Sequence, residues 1–375
     1  MKLINLILRI LTGGLFIFSG LIKLNDPYGT AYKLEEYFEV FASDISALSG
    51  LFDFFAHHSL FFSIVICATE VILGVAILLN YRMRTTMWVS LLMIVFFTFL
   101  TFYSYAFDKV KECGCFGTFI VTTPKQSFYK DLFLLAIMLV LFYQRTWYSS
   151  AFNSLRGDIL MVFASLISFG IGIYSERHLP FMDTLNYKIG NNIDSLKTAP
   201  KAEYIWIMEK DGKEYRFPND KYPTDTTYHF KKYEPVGDSS LFVPKISNFI
   251  IQGEDGDVTK EILSGSKLLI LIPFLDEAEN NCHGDCFKQL KELIGALDKT
   301  DVKPVILTIH ANSEKFEEFR HDKGLAAPYY YMEDVILKTM VRSDPGFMLL
   351  KDGVVKGKWS YHDMPGTEKI QALLK

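Results

Sequence analysis

The chain is short of three things, and each shortage excludes something. It has no excess of positive charge: 39 Lys and Arg stand against 43 Asp and Glu, for a net charge of −4. No basic stripe gathers along it, so nucleic acid is excluded as a partner. It has no internal repeat of about 20–50 residues and no low-complexity tract, which argues against a solenoid or a long disordered arm. It has only five cysteines in 375 residues. Four of those form two close pairs, in two different kinds of sequence. Cys113 and Cys115 lie in Glu-Cys-Gly-Cys-Phe-Gly, a short stretch between long apolar segments. Cys282 and Cys286 lie in Asn-Asn-Cys-His-Gly-Asp-Cys, after the apolar run 267–273 and before a helical pattern over 287–297. Close pairs exchange electrons, form disulfides or bind soft metals. One pair at a membrane surface and one in a soluble module point to a thiol–disulfide relay at a membrane boundary.

What is abundant is apolar residue, at 50% of the chain, and it is clustered in the first 175 positions or so. Five windows are long enough to span a bilayer, at about 3–24, 60–79, 86–107, 128–143 and 158–174. The first follows Lys2 and contains Arg9, as a signal peptide would. It lacks an Ala-x-Ala-like cleavage site, and is read as a retained span. Arg82 and Arg84 fall between spans two and three, and Arg145 and Arg156 between spans four and five. The 25–59 loop is acidic, with Asp26, Glu35, Glu36, Glu39, Asp44 and Asp53. Positive loops stay inside, so the N-terminus is expected in the cytoplasm and the C-terminal domain in the periplasm of a bacterial inner membrane. Lys109, Lys111 and Lys125 oppose this assignment, but the Arg-bearing loops are shorter. Both cysteine pairs then share the oxidising side, where disulfides persist.

The remainder reads as a connector, 176–244, and a small α/β domain, 245–375. The connector carries a hairpin signal, 202–209 and 213–217 around Asp211-Gly212. In the domain, strands are expected at 246–252, 267–273, 302–310, 347–350 and 354–359. Helices are expected at 287–297, at 314–321 with Ser313 as cap, and from about Thr367.

The order strand, Cys-x3-Cys, helix, strand, helix, then Asp344-Pro-Gly-Phe-Met-Leu-Leu-Lys-Asp-Gly353, resembles the thioredoxin fold. The Ile246-Ser-Asn-Phe249 and Asp255-Gly256 elements are similar to its membrane-tethered TlpA-like branch. That resemblance implies that Cys282 and Cys286 exchange disulfides with client proteins, Cys282 attacking from the helix start, and that Pro345 is a cis-proline facing them. The family usually has two residues between its cysteines, whereas this chain has three. A three-residue spacing is similar to the copper-chaperone branch, with Cys282, Cys286 and His283, His310 or His362 as the alternative ligands. None of the three histidines sits where that branch has its own, and no metal is expected on the redox reading. A merely structural disulfide is the third alternative.

Phe18-Ser-Gly-Leu-Ile-Lys-Leu-Asn-Asp-Pro27, Glu70 and Cys113-Gly-Cys-Phe-Gly117 resemble the DoxX/MauE family of four-helix membrane proteins over about residues 1–148. A fifth span, 157–175, follows. The resemblance implies periplasmic disulfide chemistry, with electrons exchanged with a quinone as in DsbB and VKOR types of bundle. The fold class is thus a multi-domain chain: a four-helix membrane bundle plus a fifth span, then an α/β thioredoxin-like domain. Its partners would be the lipid bilayer and periplasmic proteins carrying thiols or disulfides. Glu70, Arg9 and Lys23 are the candidates for quinone or proton handling. A mid-span carboxylate is costly unless paired or used. Arg9 should lie at the depth of Glu70 and could pair with it, while Lys23 could snorkel to the interface. Cys67, alone in span two, reads as a buried structural thiol.

Overall fold

The computed structural model describes residues 2–107, 109–110, 122–146, 148, 154–198, 204–218, 221–236, 244–246 and 248–375. Cys113 and Cys115 therefore lie outside the described residues. The chain divides into two compact units, Met1–Thr184 and Leu185–Lys375.

The first unit is helical: α1 (Lys2–Asn25), α2 (Pro27–Asp44), α3 (Ser49–His57), α4 (Ser59–Leu79), α5 (Met83–Phe107), α6 (Pro124–Tyr143) and α7 (Ser154–His178). Among the described residues, α1 and α4–α7 are long and apolar enough to cross a membrane. Helix α2 occupies what the sequence presents as an acidic loop. Its start is chemically specified: the Asp26 carboxylate accepts from Gly29 N–H at 3.1 Å, and Pro27 fills the first turn. Ala31, Leu34, Tyr37 and Phe41 recur at helical spacing and are buried. Helix α6 opens on a capping box, Gln126 N–H donating to Thr123 Oγ1 and Thr123 N–H to Gln126 Oε1.

Helices α1 and α4 touch backbone to backbone. A Cβ on Gly13 would come within 2.9 Å of the Gly74 carbonyl, and one on Gly20 within 2.9 Å of the Cys67 carbonyl. Small residues let helices approach this closely in lipid. The pairing also sets the antiparallel register of the two helices. Cys67 is fully buried there with a free thiol, packed with Leu24, Ala68 and Val71.

The second unit holds two sheets. Strands β1 (Tyr204–Lys210), β2 (Lys213–Pro218) and β3 (His229–Pro235) form one, in the order β2-β1-β3. The turn between β1 and β2 is Asp211-Gly212, both at positive φ, as a two-residue type I′ hairpin demands. The other sheet contains β4 (Gln252–Gly253), β5 (Gly256–Asp257), β6 (Ser266–Leu271), β7 (Lys303–Thr308), β8 (Tyr329–Tyr331), β9 (Gly346–Lys351) and β10 (Val354–Ser360). Its order is β10-β9-β6-β7-β8-β4-β5, with β6, β7 and β8 parallel and β9 and β10 antiparallel. The run Leu268–Leu271 is fully buried, as a central strand covered on both faces must be. Helices α8 (Ile193–Lys197), α9 (Thr259–Leu263), α10 (Leu275–Asn281), α11 (Cys286–Leu297), α12 (Phe316–Lys323), α13 (Asp334–Met340) and α14 (Thr367–Leu374) complete the unit.

Several local expectations change. Of the expected 246–252 strand only Gln252 falls in a strand, the two-residue β4, and Asn248 turns the backbone before it at φ 58°. Lys315, not Ser313, precedes α12 and makes no side-chain cap. The compact unit that holds the α/β domain extends back to Leu185 and takes in most of the connector. Gly190 N–H donates to Val355 O at 2.8 Å, Val355 N–H to Asn191 O at 2.9 Å, and Ile193 N–H to Gly353 O at 2.9 Å. The start of the connector is thus hydrogen-bonded along β10.

Candidate functional site

Cys282 and Cys286 form a disulfide with their Cα atoms 5.2 Å apart. The pair straddles a break between two helices. Cys282 is the residue after α10, its N–H donating to Ala278 O at 2.9 Å. His283, Gly284 and Asp285 turn the chain, Gly284 at φ 63°, and Cys286 is the first residue of α11. The helix start therefore lies at Cys286 and not at Cys282, where the sequence suggested it. A helix start offers free N–H groups and the positive end of the dipole to a thiolate, and a helix end offers the reverse. Cys286 has the favourable position, at the head of the 12-residue α11, and is half-buried, whereas Cys282 is only 3% exposed. Cys286 is thus the more exposed of the two residues.

Asp344 and Pro345, joined by a cis peptide bond, sit against this loop. Asn281 Nδ2 donates to the Asp344 carbonyl at 2.8 Å, and Phe274 N–H donates to Asp344 Oδ2 at 2.8 Å. Burial pushes the Asp344 carboxyl well above the usual carboxylate range. The Phe274 N–H pulls it down and the Glu277 charge pushes it further up. Sequence reasoning named Pro345 and passed over Asp344, whose one visible signal was its place directly before that proline. The second oxygen, Oδ1, is buried without a hydrogen-bond partner.

Of the histidines considered for a metal, His283 is exposed between the cysteines. His310 bonds Gln252 Oε1 at 2.7 Å and stacks on Tyr331, and the His362 ring lies against Tyr361. Among the described residues no group of three or more His, Cys, Asp or Glu side chains converges on one point.

The helical unit contains a second candidate site. A cavity of about 280 Å³ opens between α1, α2, α4, α5 and α6. Leu15, Phe16, Ile94 and Leu134 form an apolar part, while Lys23, Lys33, Tyr37, Thr101, Lys130 and Asp131 bring polar atoms to it. Lys23 Nζ lies 2.7 Å from Glu70 Oε2 and 4.4 Å from the centre of the Phe97 ring. Both charged side chains are buried, so Lys23 does not snorkel to an interface. Thr101 Oγ1 donates to Asp131 Oδ2 at 3.1 Å, and Lys130 pairs with Asp131 at 3.0 Å. The expected Arg9–Glu70 pairing is not made. Arg9 donates to the Ile77 and Leu78 carbonyls at the end of α4, at 3.3 and 2.8 Å, and lies over the Tyr148 ring. It caps a helix end and does not line the cavity. Ammonium and hydroxyl donors beside an apolar wall suit a flat ring bearing two carbonyl oxygens, so the residues present fit a quinone headgroup.

Residues 1–144 match the sequence model of the family described as methylamine utilisation protein MauE. Five apolar helices and this match together make the chain a multi-pass membrane protein with a C-terminal α/β domain. No curated protein and no solved structure matches it.

Proposed function

We propose that the chain is a membrane thiol–disulfide oxidoreductase that serves the maturation of other proteins, with a thioredoxin-like domain in the periplasm. The observation that supports it best is the disulfide at the head of α11, with Cys286 half-buried and Cys282 buried. In the exchange, a client thiolate attacks Cys286 Sγ, the client–Cys286 bond forms and the Cys282–Cys286 bond breaks. The client's second thiolate then attacks its own sulfur in the mixed disulfide and releases Cys286. The client leaves oxidised by two electrons, and the pair holds them as two thiols. Cys113 and Cys115 would take these electrons by the same chemistry.

A quinone bound in the bundle supplies a two-electron, two-proton acceptor. Lys23 and Tyr37 would hold its ring oxygens, and the Glu70 carboxylate would balance the Lys23 charge. The apolar wall of Leu15, Phe16, Ile94 and Leu134 keeps water from that face. The name of the matching family, a protein of methylamine utilisation, fits a maturation role of this kind.

The test is the redox state of each pair. Full-length protein in proteoliposomes, reduced and then freed of reductant, is quenched with a thiol reagent with and without a short-chain quinone. Quinone should reoxidise Cys282 and Cys286, and Cys113→Ser or Cys115→Ser should stop it. Reoxidation that ignores both quinone and the membrane cysteines would overturn the relay.

A further inference from the structure

We propose that α3 is an interfacial helix. It lies in the lipid–water boundary on the side of the membrane where α1 ends and α4 begins, with Leu48, Leu51 and Phe54 in the acyl region and Asp53 and His57 toward water. At nine residues it is far too short to cross a bilayer. The partner of its free face is the bilayer itself.

Helical spacing sorts α3 into three faces. Phe52 and Phe55, one turn apart, pack on α2 and α4. The Phe52 ring lies 5.6 Å from that of Phe41, and the Phe55 ring lies 5.4 Å from Phe38 and 5.1 Å from Phe62. Asp53 and His57, also one turn apart, are exposed. Leu51 and Phe54 take the remaining face, and Ile45 and Leu48 lead up to it. These four apolar side chains are 46–51% exposed. An exposed apolar stripe beside a polar one is the pattern of a helix lying in the interface plane.

Depth decides what covers that stripe. Phe41, which backs Phe52, also touches Phe99 at 6.0 Å and Tyr103 at 4.9 Å. Phe99 lies about two turns, or about 12 Å, inside the end of α5 at Phe107. Phe62 is in the first turn of α4, beside Phe61, which is 62% exposed. Both α4 and α5 are long and apolar enough to cross a membrane. Helix α3 is thus set against the flanks of two spans, level with their last turns. Its apolar face continues the lipid-facing surface that Phe61 begins.

The helix carries no Lys or Arg, so it is held by buried apolar area and requires no anionic headgroup. Its seat in lipid also bears on the cavity. Helix α2 turns Lys33, Leu34 and Tyr37 to the cavity, while its Phe38 and Phe41 rest on α3. One wall of the cavity is therefore backed by a helix that lipid holds in place.

The test is photo-crosslinking of full-length protein in vesicles of phosphatidylcholine alone. The photoreactive residue p-benzoylphenylalanine replaces Leu51, Asp53, Phe54 or His57, one at a time, and adducts are identified by peptide mass. The same residue in place of Leu92, 65% exposed on α5, is the control for lipid contact. At Leu51 and Phe54, phosphatidylcholine adducts should be as abundant as at Leu92. At Asp53 and His57 they should be absent. Two positions on each face keep the test decisive if one replacement fails to fold. Lipid adducts at Leu92 but not at Leu51 or Phe54 would overturn the proposal. So would crosslinks from Leu51 or Phe54 to residues 185–375 or to a second copy of the chain, because protein would then cover this face. Equal lipid adducts at all four positions of α3 would overturn the assignment of its faces.

Discussion

Lys23 and Glu70 are ion-paired at 2.7 Å inside the helical unit, although they are not at the same depth. Gly13 faces Gly74 and Gly20 faces Cys67, so Glu70 faces Ile17, and Lys23 is six residues further along α1. That offset is about 9 Å along the axis. Helical side chains lean toward their own N-terminus, and the helices are antiparallel. Lys23 and Glu70 therefore lean toward each other and close the gap.

Breaking the pair should cost more than removing it. Lys23→Met or Glu70→Gln alone leaves an uncompensated buried group and should destabilise by about 3–5 kcal/mol. The double variant Lys23→Met, Glu70→Gln should recover part of that loss. Thermal unfolding in detergent of all four proteins measures the coupling. Strictly additive losses would show that the two groups do not depend on each other.

The glycine contacts should be equally intolerant. Gly74→Ala places a methyl 2.7 Å from the Gly13 carbonyl, and should cost about 1–3 kcal/mol. Gly14→Ala, where nothing lies within 4 Å, should be neutral or slightly stabilising. Comparing the melting of the two variants checks the α1–α4 register.

Cys286 should be the sulfur that exchanges with clients. Cys282→Ser should accumulate mixed disulfides between Cys286 and client proteins, detected as reducible adducts on non-reducing gels. Cys286→Ser should trap far fewer, because Cys282 is buried. The opposite result would restore the order the sequence suggests.

Asp344 should make folding pH-dependent with a definite sign. Its folded-state pKa is raised, so the folded state keeps a proton that the unfolded chain has lost. This contribution is complete below the unfolded carboxyl pKa, near 4. Stability falls as pH rises from there through the raised folded value. Asp344→Asn should flatten that fall and raise the melting temperature at neutral pH. A wild-type melting temperature as pH-independent as that of the variant would contradict the buried neutral acid.

The sequence made some of this legible and hid the rest for physical reasons. Apolar runs and Asp-Gly turns are local signals, so the long helices and the β1–β2 and β9–β10 turns could be read directly. Helix α2 was also legible, from Asp26, Pro27 and the spacing of Leu34, Tyr37 and Phe41, but its acidic face masks it. The partner of Glu70 was not legible. Expected depth offered Arg9, and only the glycine-mediated register of α1 on α4 favours Lys23. The roles of the two cysteines depended on a helix boundary. The three-residue spacing moves the start of α11 to Cys286 and leaves Cys282 on the end of α10, a shift of one turn that composition does not announce.

The hydrogen bonds between residues 190–193 and β10 decide where the soluble part can be cut. A fragment beginning at Lys245 would leave the outer side of β10, including the Val355 N–H and C=O, open to any extended chain. Strand-to-strand self-association would follow. A fragment beginning at Leu185 retains its own covering segment and should stay dispersed. The choice of first residue, and not the integrity of the core, would then determine whether the isolated domain is a monomer or a precipitate.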